Sequence, residues 1–318
     1  MTLWVEGLGV EFRTRGGIVR ALDQVGFAVA RGETLALVGE SGSGKSVTAY
    51  ALLGLLGSAG RVTAGRAMLE GKDLVTATAR ELAEIRGRVA SMIFQNPRAA
   101  LNPIRPVGKQ IADVLRRHAG LGRRAARDRA IEMLRQVGIP DPARRAGAYP
   151  FQLSGGMCQR VMIAVAVAAK PALLIADEPT TGLDVTTQAL VMDLIAALAQ
   201  SNGMATVLIT HDLALASERA QRIAVMHAGH IVEVAETRAL LAAPRHPYTA
   251  RLLAATPRDH GTLDELESIP GSLPDLRRAE LPPCRYADRC TRSVAACATL
   301  VPWREMGPDH RALCWNPL

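Results

Sequence analysis

A glycine-rich loop that ends in lysine and serine offers the clearest chemistry in the chain. Residues 39–46 read Gly-Glu-Ser-Gly-Ser-Gly-Lys-Ser and fit the pattern G-x-x-x-x-G-K-[ST]. The glycines let consecutive backbone N–H groups point at phosphate oxygens, while the lysine reaches the β- and γ-phosphates and the serine hydroxyl binds Mg²⁺. The sequence therefore predicts a nucleotide and Mg²⁺ site. Its candidate residues are Gly39, Ser41, Gly42, Gly44, Lys45 and Ser46.

Two acids follow an apolar run further along the chain. Residues 173–176 are Leu-Leu-Ile-Ala, and Asp177, Glu178 and Pro179 come next. Asp177 is suited to the Mg²⁺ shell, and Glu178 is suited to polarise an attacking water. Because adjacent residues of a strand face opposite ways, both carboxylates serve one site only if the strand ends there. We expect the chain to turn at Pro179.

Three other segments carry polar groups in suggestive places. Ser154, Gly155 and Gly156 precede the apolar stretch 161–169, where they would present donors to an anion or simply cap the helix. His211 follows the predicted strand 206–210, and Gln95 follows Met92-Ile93-Phe94. Ligands gather at the carboxyl edge of a parallel sheet, although a lone histidine there is often structural and a lone glutamine is normally surface.

The elements that must position these residues alternate between strand and helix patterns. Residues 81–160 have an Ala- and Arg-rich composition with helical spacing, interrupted by prolines, which indicates a helical insertion. Strands separated by helices predict an α/β fold with a parallel sheet. The candidate strands are residues 2–12, 25–30, 34–38, 173–176 and 206–209, and a hairpin of 223–226 with 231–234.

Composition excludes several classes of protein. The 318 residues are 48% hydrophobic and 3% aromatic, which argues against disorder, and the net charge of +8 suits an anionic partner without identifying one. The longest apolar stretch, residues 161–169, is far shorter than the ~20 residues that cross a bilayer. We expect no membrane-spanning segment and no secretory signal.

Four of the five cysteines lie in the last part of the chain, beyond a predicted boundary near residue 240. Cys284, Cys290, Cys297 and Cys314 are separated by five, six and sixteen residues, which lack the close pairs typical of structural zinc sites. An iron–sulfur cluster, a zinc ion and free thiols all remain open from this spacing. Cys158, alone beside an apolar run, is expected to be an ordinary buried thiol.

These motifs, in this order, resemble the nucleotide-binding subunit of an ATP-binding cassette (ABC) transporter. The resemblance implies a P-loop NTPase fold with a RecA-like parallel-sheet core, an antiparallel β subdomain, a helical subdomain at about 81–160, a cassette over 1–240 and an extension over 241–318. It also implies a role for each motif: Walker A at 39–46, the Q-loop at Gln95, the signature at 153–159, Walker B at 173–178, the D-loop at Leu183 and Asp184, the switch at His211 and an adenine contact at Phe12.

In that family Glu178, His211 and Gln95 would be catalytic, and Ser46, Gln95 and Asp177 would hold Mg²⁺. ATP would lie between one chain's Walker A and the signature of a second cassette. Phe12 is also compatible with a plain core role, because strands bury phenylalanine routinely.

A closer resemblance is to the oligopeptide/dipeptide importer branch, carried by residues 95–97, 101–103, 245–249 and 269–271. It implies a second, related ATPase, two membrane permeases, an external solute-binding protein and peripheral attachment to the cytoplasmic face of the membrane. It also implies a [4Fe-4S] cluster on Cys284, Cys290, Cys297 and Cys314, which would staple the extension and spare Walker A. Peptides are the expected cargo, with nickel or another small solute as the alternative. Gly182 and Pro283 depart from the branch's usual residues.

Two other classes are disfavoured. A cassette ATPase that acts on nucleic acid would suit the positive charge, but no long coiled coil separates Walker A from the signature and the chain holds one cassette. We therefore expect no nucleic-acid partner. A redox protein with a vestigial cassette is disfavoured because every catalytic position is filled.

Overall fold

The computed structural model describes residues 1–256, 269–278 and 280–318, and its strands form two sheets. The described strands, in chain order, are β1 (Leu3–Thr14), β2 (Gly17–Val29), β3 (Thr34–Val38), β4 (Gly60–Leu69), β5 (Lys72–Asp73), β6 (Ala90–Ile93), β7 (Leu173–Asp177), β8 (Ala205–Thr210), β9 (Arg222–His227), β10 (His230–Glu236), β11 (Trp303–Gly307) and β12 (His310–Leu313). The helices are α1 (Lys45–Leu52), α2 (Ala79–Ile85), α3 (Pro97–Ala100), α4 (Val107–His118), α5 (Arg123–Gln136), α6 (Pro142–Arg145), α7 (Gly155–Val167), α8 (Val185–Asn202), α9 (Leu213–Arg219), α10 (Thr237–Ala242) and α11 (Pro247–Ala254).

The smaller sheet is antiparallel, with strand order β2-β1-β4-β5. Leu3 and Val5 of β1 are buried, whereas Trp4 and Glu6 between them are exposed. This alternation is that of a sheet with one face on the core and one face in water. The antiparallel strands predicted near the start of the chain are confirmed.

The larger sheet has the order β11-β12-β10-β9-β3-β8-β7-β6, and β3, β6, β7, β8 and β9 run parallel. Every residue of β7 and β8 is buried, which explains why both read as apolar runs rather than as alternating patterns. The parallel strands end at one edge, so the segments after β3, β6, β7 and β8 are brought together. The α/β class with a parallel sheet is confirmed.

The helical insertion shares an apolar core with the larger sheet, since one cluster joins its helices to Leu174 of β7 and Leu208 of β8. Ile111 and Leu115 of α4 and Leu134 of α5 are buried together with Val161 and Ile163 of α7. Within the predicted interval 81–160, β6 is an exception, because it pairs with β7 as the last strand of the larger sheet. The limits of the subdomains stay predictions.

The last described part of the chain continues the larger sheet. Strand β12 pairs antiparallel with β10, and β11 pairs with β12. The Glu233 carboxylate of β10 is buried and accepts hydrogen bonds from the backbone N–H groups of Arg245 (2.7 Å) and His246 (2.8 Å), and it lies 2.7 Å from His310 Nε2. One buried carboxylate thus joins β10, the start of α11 and β12. Among the described residues, no helix is long and apolar enough to cross a membrane.

Candidate functional site

The phosphate loop, residues 39–46, leaves the carboxyl end of β3 and enters α1. Gly39 has φ +152°, and a Cβ there would lie 2.0 Å from the carbonyl oxygen of Met226. Gly44 has φ +109°, and its Cβ would lie 2.7 Å from Leu22 Cδ2. Backbone conformation and close neighbours therefore both require glycine at these two positions.

The Lys45 ammonium is buried and turned onto its own loop. Its Nζ donates to the carbonyl oxygens of Gly39 (2.8 Å) and Glu40 (2.9 Å). Burial lowers the pKa of Lys45, opposed by the charges of Glu178, Asp177 and Glu40. To bind a phosphate, Lys45 has to donate to phosphate oxygens in place of these two carbonyl oxygens.

The Ser46 hydroxyl donates to Asp177 Oδ1 at 2.9 Å. Burial raises the pKa of Asp177; the Ser46 hydrogen bond opposes this and the Glu178 charge adds to it. A hydroxyl and a carboxylate brought together beside the phosphate loop are hard oxygen donors of the kind Mg²⁺ prefers, so these residues fit Mg²⁺.

Glu178 sits in a left-handed backbone conformation, with φ +45°, and its N–H donates to the carbonyl oxygen of Ile209 at 2.9 Å. The chain thus leaves the strand direction at Glu178, one residue before Pro179. This bend allows two adjacent carboxylates to reach the same edge of the sheet, as the sequence requires.

Three side chains converge on the Glu178 carboxylate. Gln95 Nε2 and Thr181 Oγ1 donate to Oε2 at 2.8 and 2.9 Å, and His211 Nδ1 lies 3.2 Å from Oε1. Burial raises the pKa of Glu178, but the hydrogen bonds from Thr181 and His211 and the charges of His211 and Lys45 outweigh burial and lower it. The carboxylate is therefore ionised at neutral pH and able to accept a proton.

This cluster brings together three of the predicted residues, Gln95, Glu178 and His211, from the ends of β6, β7 and β8. Sequence reasoning missed Thr181, although it follows Glu178-Pro179-Thr180 directly and its hydroxyl reaches back three residues. Gln95 donates to Glu178, while its assignment to Mg²⁺ stays a prediction.

The signature turn, residues 153–159, enters α7. Ser154 caps the helix, and its Oγ accepts a hydrogen bond from the Met157 N–H at 3.3 Å. A Cβ on Gly155 or Gly156 would meet no atom within 4 Å, so both glycines border open space. Gln159 Nε2 donates to the carbonyl oxygen of Pro179 at 2.6 Å, which ties this turn to the segment after Glu178.

Asp184 and Phe12 occupy separate places. Asp184 caps α8 by accepting hydrogen bonds from the Thr187 backbone N–H (2.9 Å) and hydroxyl (2.7 Å). Phe12 is half-buried near the end of β1 and packs on the core, where a Cβ on Gly60 would lie 2.7 Å from its ring. Its partial exposure agrees with either predicted role, as an adenine contact or as part of the core.

Cys158 lies apart from the four cysteines of the extension. Cys158 is buried, and its thiol donates to the carbonyl oxygen of Pro150 at 3.3 Å. Cys284, Cys290, Cys297 and Cys314 are free and buried or half-buried. Burial raises the pKa of Cys284 to about 11; the Tyr286 backbone opposes this, and the other three thiols add to it. The four thiols thus share one neighbourhood, yet no three His, Cys, Asp or Glu groups of the described residues are arranged to hold a metal ion.

Comparison with known proteins agrees with this geometry. Residues 22–181, half of the chain, match the model of the ABC transporter family. The chain belongs to the ABC transporter family. It is an ATP-binding cassette ATPase, and residues 232–297 also match the C-terminal region of oligopeptide/dipeptide transporters.

Its relatives match over nearly their full length. The chain is 49% identical to a putative peptide import ATP-binding protein of Brucella melitensis, covering 98% of this chain and 94% of that protein. It is 47% identical to the dipeptide transport ATP-binding protein DppD of Escherichia coli, covering 99% and 96%. Among solved structures it resembles the dimeric ATP-binding cassette MJ0796 bound to ADP and phosphate, at 28% identity with a TM-score of 0.67, over 74% of this chain and 99% of that one.

Proposed function

We propose that this ATPase powers import of peptides through a membrane permease. The observation that supports ATP hydrolysis as the source of this power is the cluster in which Gln95, Thr181 and His211 surround Glu178 beside the phosphate loop. The names of the relatives, which are peptide import and dipeptide transport ATP-binding proteins, support peptides as cargo rather than nickel or another small solute.

In this proposal each residue has a part in hydrolysis. Backbone N–H groups of the phosphate loop and Lys45 bind the phosphates. Ser46 and Asp177 hold Mg²⁺, which when bound neutralises charge that develops on the phosphates. Glu178 accepts the proton of the attacking water, while Gln95, Thr181 and His211 orient its carboxylate. The role of His211 is to hold Oε1, the carboxylate oxygen that Gln95 and Thr181 do not contact.

A second cassette completes the site. Gly155 and Gly156 face open space at the start of α7, where backbone donors and the positive end of the helix suit an anion. The MJ0796 cassette is dimeric in its solved structure. We therefore propose a head-to-tail pair with a second, related ATPase, in which Ser154, Gly155 and Gly156 contact ATP held by the partner, and Asp184 lies at the junction.

The pair would lie on the cytoplasmic face of the membrane, held there by two permeases. An external solute-binding protein would deliver the solute to these permeases. The segment from Gln95 to Pro103, which resembles the permease-docking segment of the importer branch, would make the contact with the permeases, and Ile104 next to it is apolar and 82% exposed. Co-expression with neighbouring permease genes tests the attachment. The chain should sediment with membranes only when the permeases are present, and sedimentation without them would contradict this placement.

ATP-driven uptake tests the whole proposal. The complete transporter in proteoliposomes should accumulate labelled dipeptide when ATP is supplied on the side of this subunit, and not when Lys45→Ala is introduced. Uptake of nickel with no uptake of any peptide would exclude peptides as cargo. ATP turnover without uptake of either solute would contradict a role in import.

We also propose that Cys284, Cys290, Cys297 and Cys314 bind a [4Fe-4S] cluster that stabilises the extension. Their shared neighbourhood supports this, and a four-iron cluster takes one thiolate at each iron, so its ligands stand farther apart than those of a single ion. Anaerobic purification with absorption spectra and iron and sulfide analysis tests this; a colourless protein with zinc or no metal would exclude the cluster.

A further inference from the structure

The C-terminal extension reaches the phosphate loop through one charged pair. Arg289 donates from Nη1 to Glu40 Oε2 and from Nη2 to Glu40 Oε1, both at 2.9 Å. Glu40 is the second residue of the phosphate loop. Two parallel hydrogen bonds between a guanidinium and a carboxylate fix orientation as well as distance. The pair thus ties the loop to a residue 249 positions away in the chain.

Arg289 is itself held rigidly by the extension. Its side chain is only 5% exposed, its Nε donates to the carbonyl oxygen of Pro270 at 2.8 Å, and its guanidinium lies 5.7 Å from the centre of the Tyr286 ring. All three guanidinium nitrogens are engaged. Arg289 is therefore a fixed support for Glu40 and not a mobile surface cation.

Glu40 is also held through its backbone. Its N–H donates to the hydroxyl of Tyr248 at 3.0 Å, and Tyr248 is fully buried in α11. Its carbonyl oxygen accepts hydrogen bonds from Lys45 Nζ (2.9 Å) and from the Ser43 N–H (3.2 Å). Glu40 is thus the point at which the extension and the phosphate-binding lysine meet.

The surroundings keep Glu40 ionised. Burial raises its pKa, but His227 and Arg289 outweigh burial and lower it to about 2. His227 Nδ1 is 3.6 Å from the carboxylate, and burial lowers the pKa of this histidine. Arg289 is the permanently charged group that donates two hydrogen bonds to Glu40.

A second contact runs parallel to the first. Arg285 donates to the carbonyl oxygen of Ala228 and, at 2.8 Å, to Asp23 Oδ2. Gly229, which follows Ala228 in the chain, donates its N–H to the carbonyl oxygen of Ser43 in the phosphate loop at 2.7 Å. Arg285 thus acts on the loop only indirectly, through the turn at Ala228 and Gly229.

We propose that Arg289 is a positioning residue for nucleotide binding: through Glu40 it holds the phosphate loop in the form that accepts the phosphates, so the nucleotide affinity of this subunit depends on its C-terminal extension. This inference rests on the ATPase function and adds a role for a segment outside the cassette motifs. Without Arg289, the half-buried carboxylate of Glu40 lacks the guanidinium that pairs with it, and the loop adopts other conformations.

Calorimetric titration of the full chain with ADP, which is not consumed, tests the pair. Arg289→Ala and Glu40→Ala should each raise the Kd for ADP roughly tenfold, the size of effect expected from one charge-assisted hydrogen bond. The double variant should be no weaker than either single one, because both changes remove the same interaction. Arg277→Ala is the matched control, since Arg277 makes a two-point ion pair with Asp275 in the same extension, and it should leave Kd unchanged.

Turnover kinetics separate positioning from general damage. In the assembled transporter, the Arg289→Ala change should raise KM for ATP with kcat within twofold, because saturating nucleotide restores the loop. Arg289→Lys should recover part of the loss, since lysine keeps the charge without the two-point geometry.

Three outcomes would overturn the proposal: both single variants bind ADP like wild type, their effects add in the double variant, or kcat falls while KM stays unchanged. A wild-type chain that binds no ADP would instead refute the ATPase function on which the inference rests. Circular dichroism melts of each variant identify unfolding. Should Arg289→Ala unfold, Glu40→Ala decides the matter, because it leaves the extension intact.

Discussion

Replacement of Glu178 by glutamine separates its chemistry from its structural role. A glutamine carbonyl at the position of Oε2 still accepts the hydrogen bonds from Gln95 (2.8 Å) and Thr181 (2.9 Å), and its amide faces His211. The left-handed backbone at this position costs glutamine as much as glutamate. We therefore expect the free energy of unfolding to change by less than about 1 kcal/mol.

Turnover should nevertheless collapse. The variant lacks the carboxylate that accepts the proton of the attacking water, and loss of a general base typically costs 10²- to 10⁴-fold. A loss of about 100-fold corresponds to about 2.7 kcal/mol in the barrier, since each tenfold is 1.36 kcal/mol. Nucleotide affinity should stay near that of wild type, because the phosphate loop and Lys45 are untouched.

The assay is phosphate release by the assembled transporter, with ADP binding measured in parallel. The partner's equivalent glutamate is replaced as well, so that the second site cannot carry the flux. Glu218→Gln is the matched control, because Glu218 is exposed on α9 away from the cluster, and it should turn over like wild type. Turnover within threefold of wild type in the doubly changed assembly would refute the role of Glu178 as the base.

Three further outcomes are expected. Lys45→Ala should weaken ADP binding at least tenfold, since its ammonium is the cation that meets the phosphates; calorimetry with unchanged Kd would contradict this. The fold lowers the pKa of Glu40 from 4.5 to about 2, so this carboxylate contributes stability above about pH 4.5 that is lost as the pH falls toward 2. The urea unfolding midpoints of wild type and Glu40→Gln should therefore converge over that pH range. Glu233→Ala should destabilise the fold by about 3 kcal/mol in urea unfolding, because it leaves buried donors unpaired. The control Glu236→Ala, at an exposed position, should cost under about 0.5 kcal/mol. Equal losses would contradict the role of Glu233 in connecting β10, α11 and β12.

Local physics explains why the phosphate loop and the edge acids were predictable from sequence. The glycine requirement at Gly39 and Gly44 arises from positive φ, which only glycine adopts easily, so it leaves a mark in the sequence. Buried parallel strands likewise leave short apolar runs, and the segments after them had to hold the ligand-binding groups. The motif order therefore identified both the fold class and the family.

Contacts between residues far apart in the chain have no recognisable sequence pattern. Gln95 and His211 each bear polar groups that suit surface or structural positions equally well, and only the strand order β6-β7-β8 places them on Glu178. The motif at residues 245–249 was recognised without a role, and the structure shows that Tyr248 in it holds the Glu40 N–H. Strand order and helix docking depend on packing summed over the whole chain, which short-range patterns do not encode.

The sequence by itself determined the nucleotide site, the α/β class and a cysteine-bearing extension, because steric and hydrogen-bonding rules that act within a few residues specify them. The resemblance also led us to expect that loss of the cysteines spares the Walker A site, and this stays a prediction. Only the tertiary structure shows that Arg289, next to Cys290, is hydrogen-bonded to Glu40 of the phosphate loop. That link pairs charges 249 residues apart, and it forms where the extension packs on the larger sheet, since Tyr286 is buried in the same apolar cluster as Tyr248 and Val38 of β3.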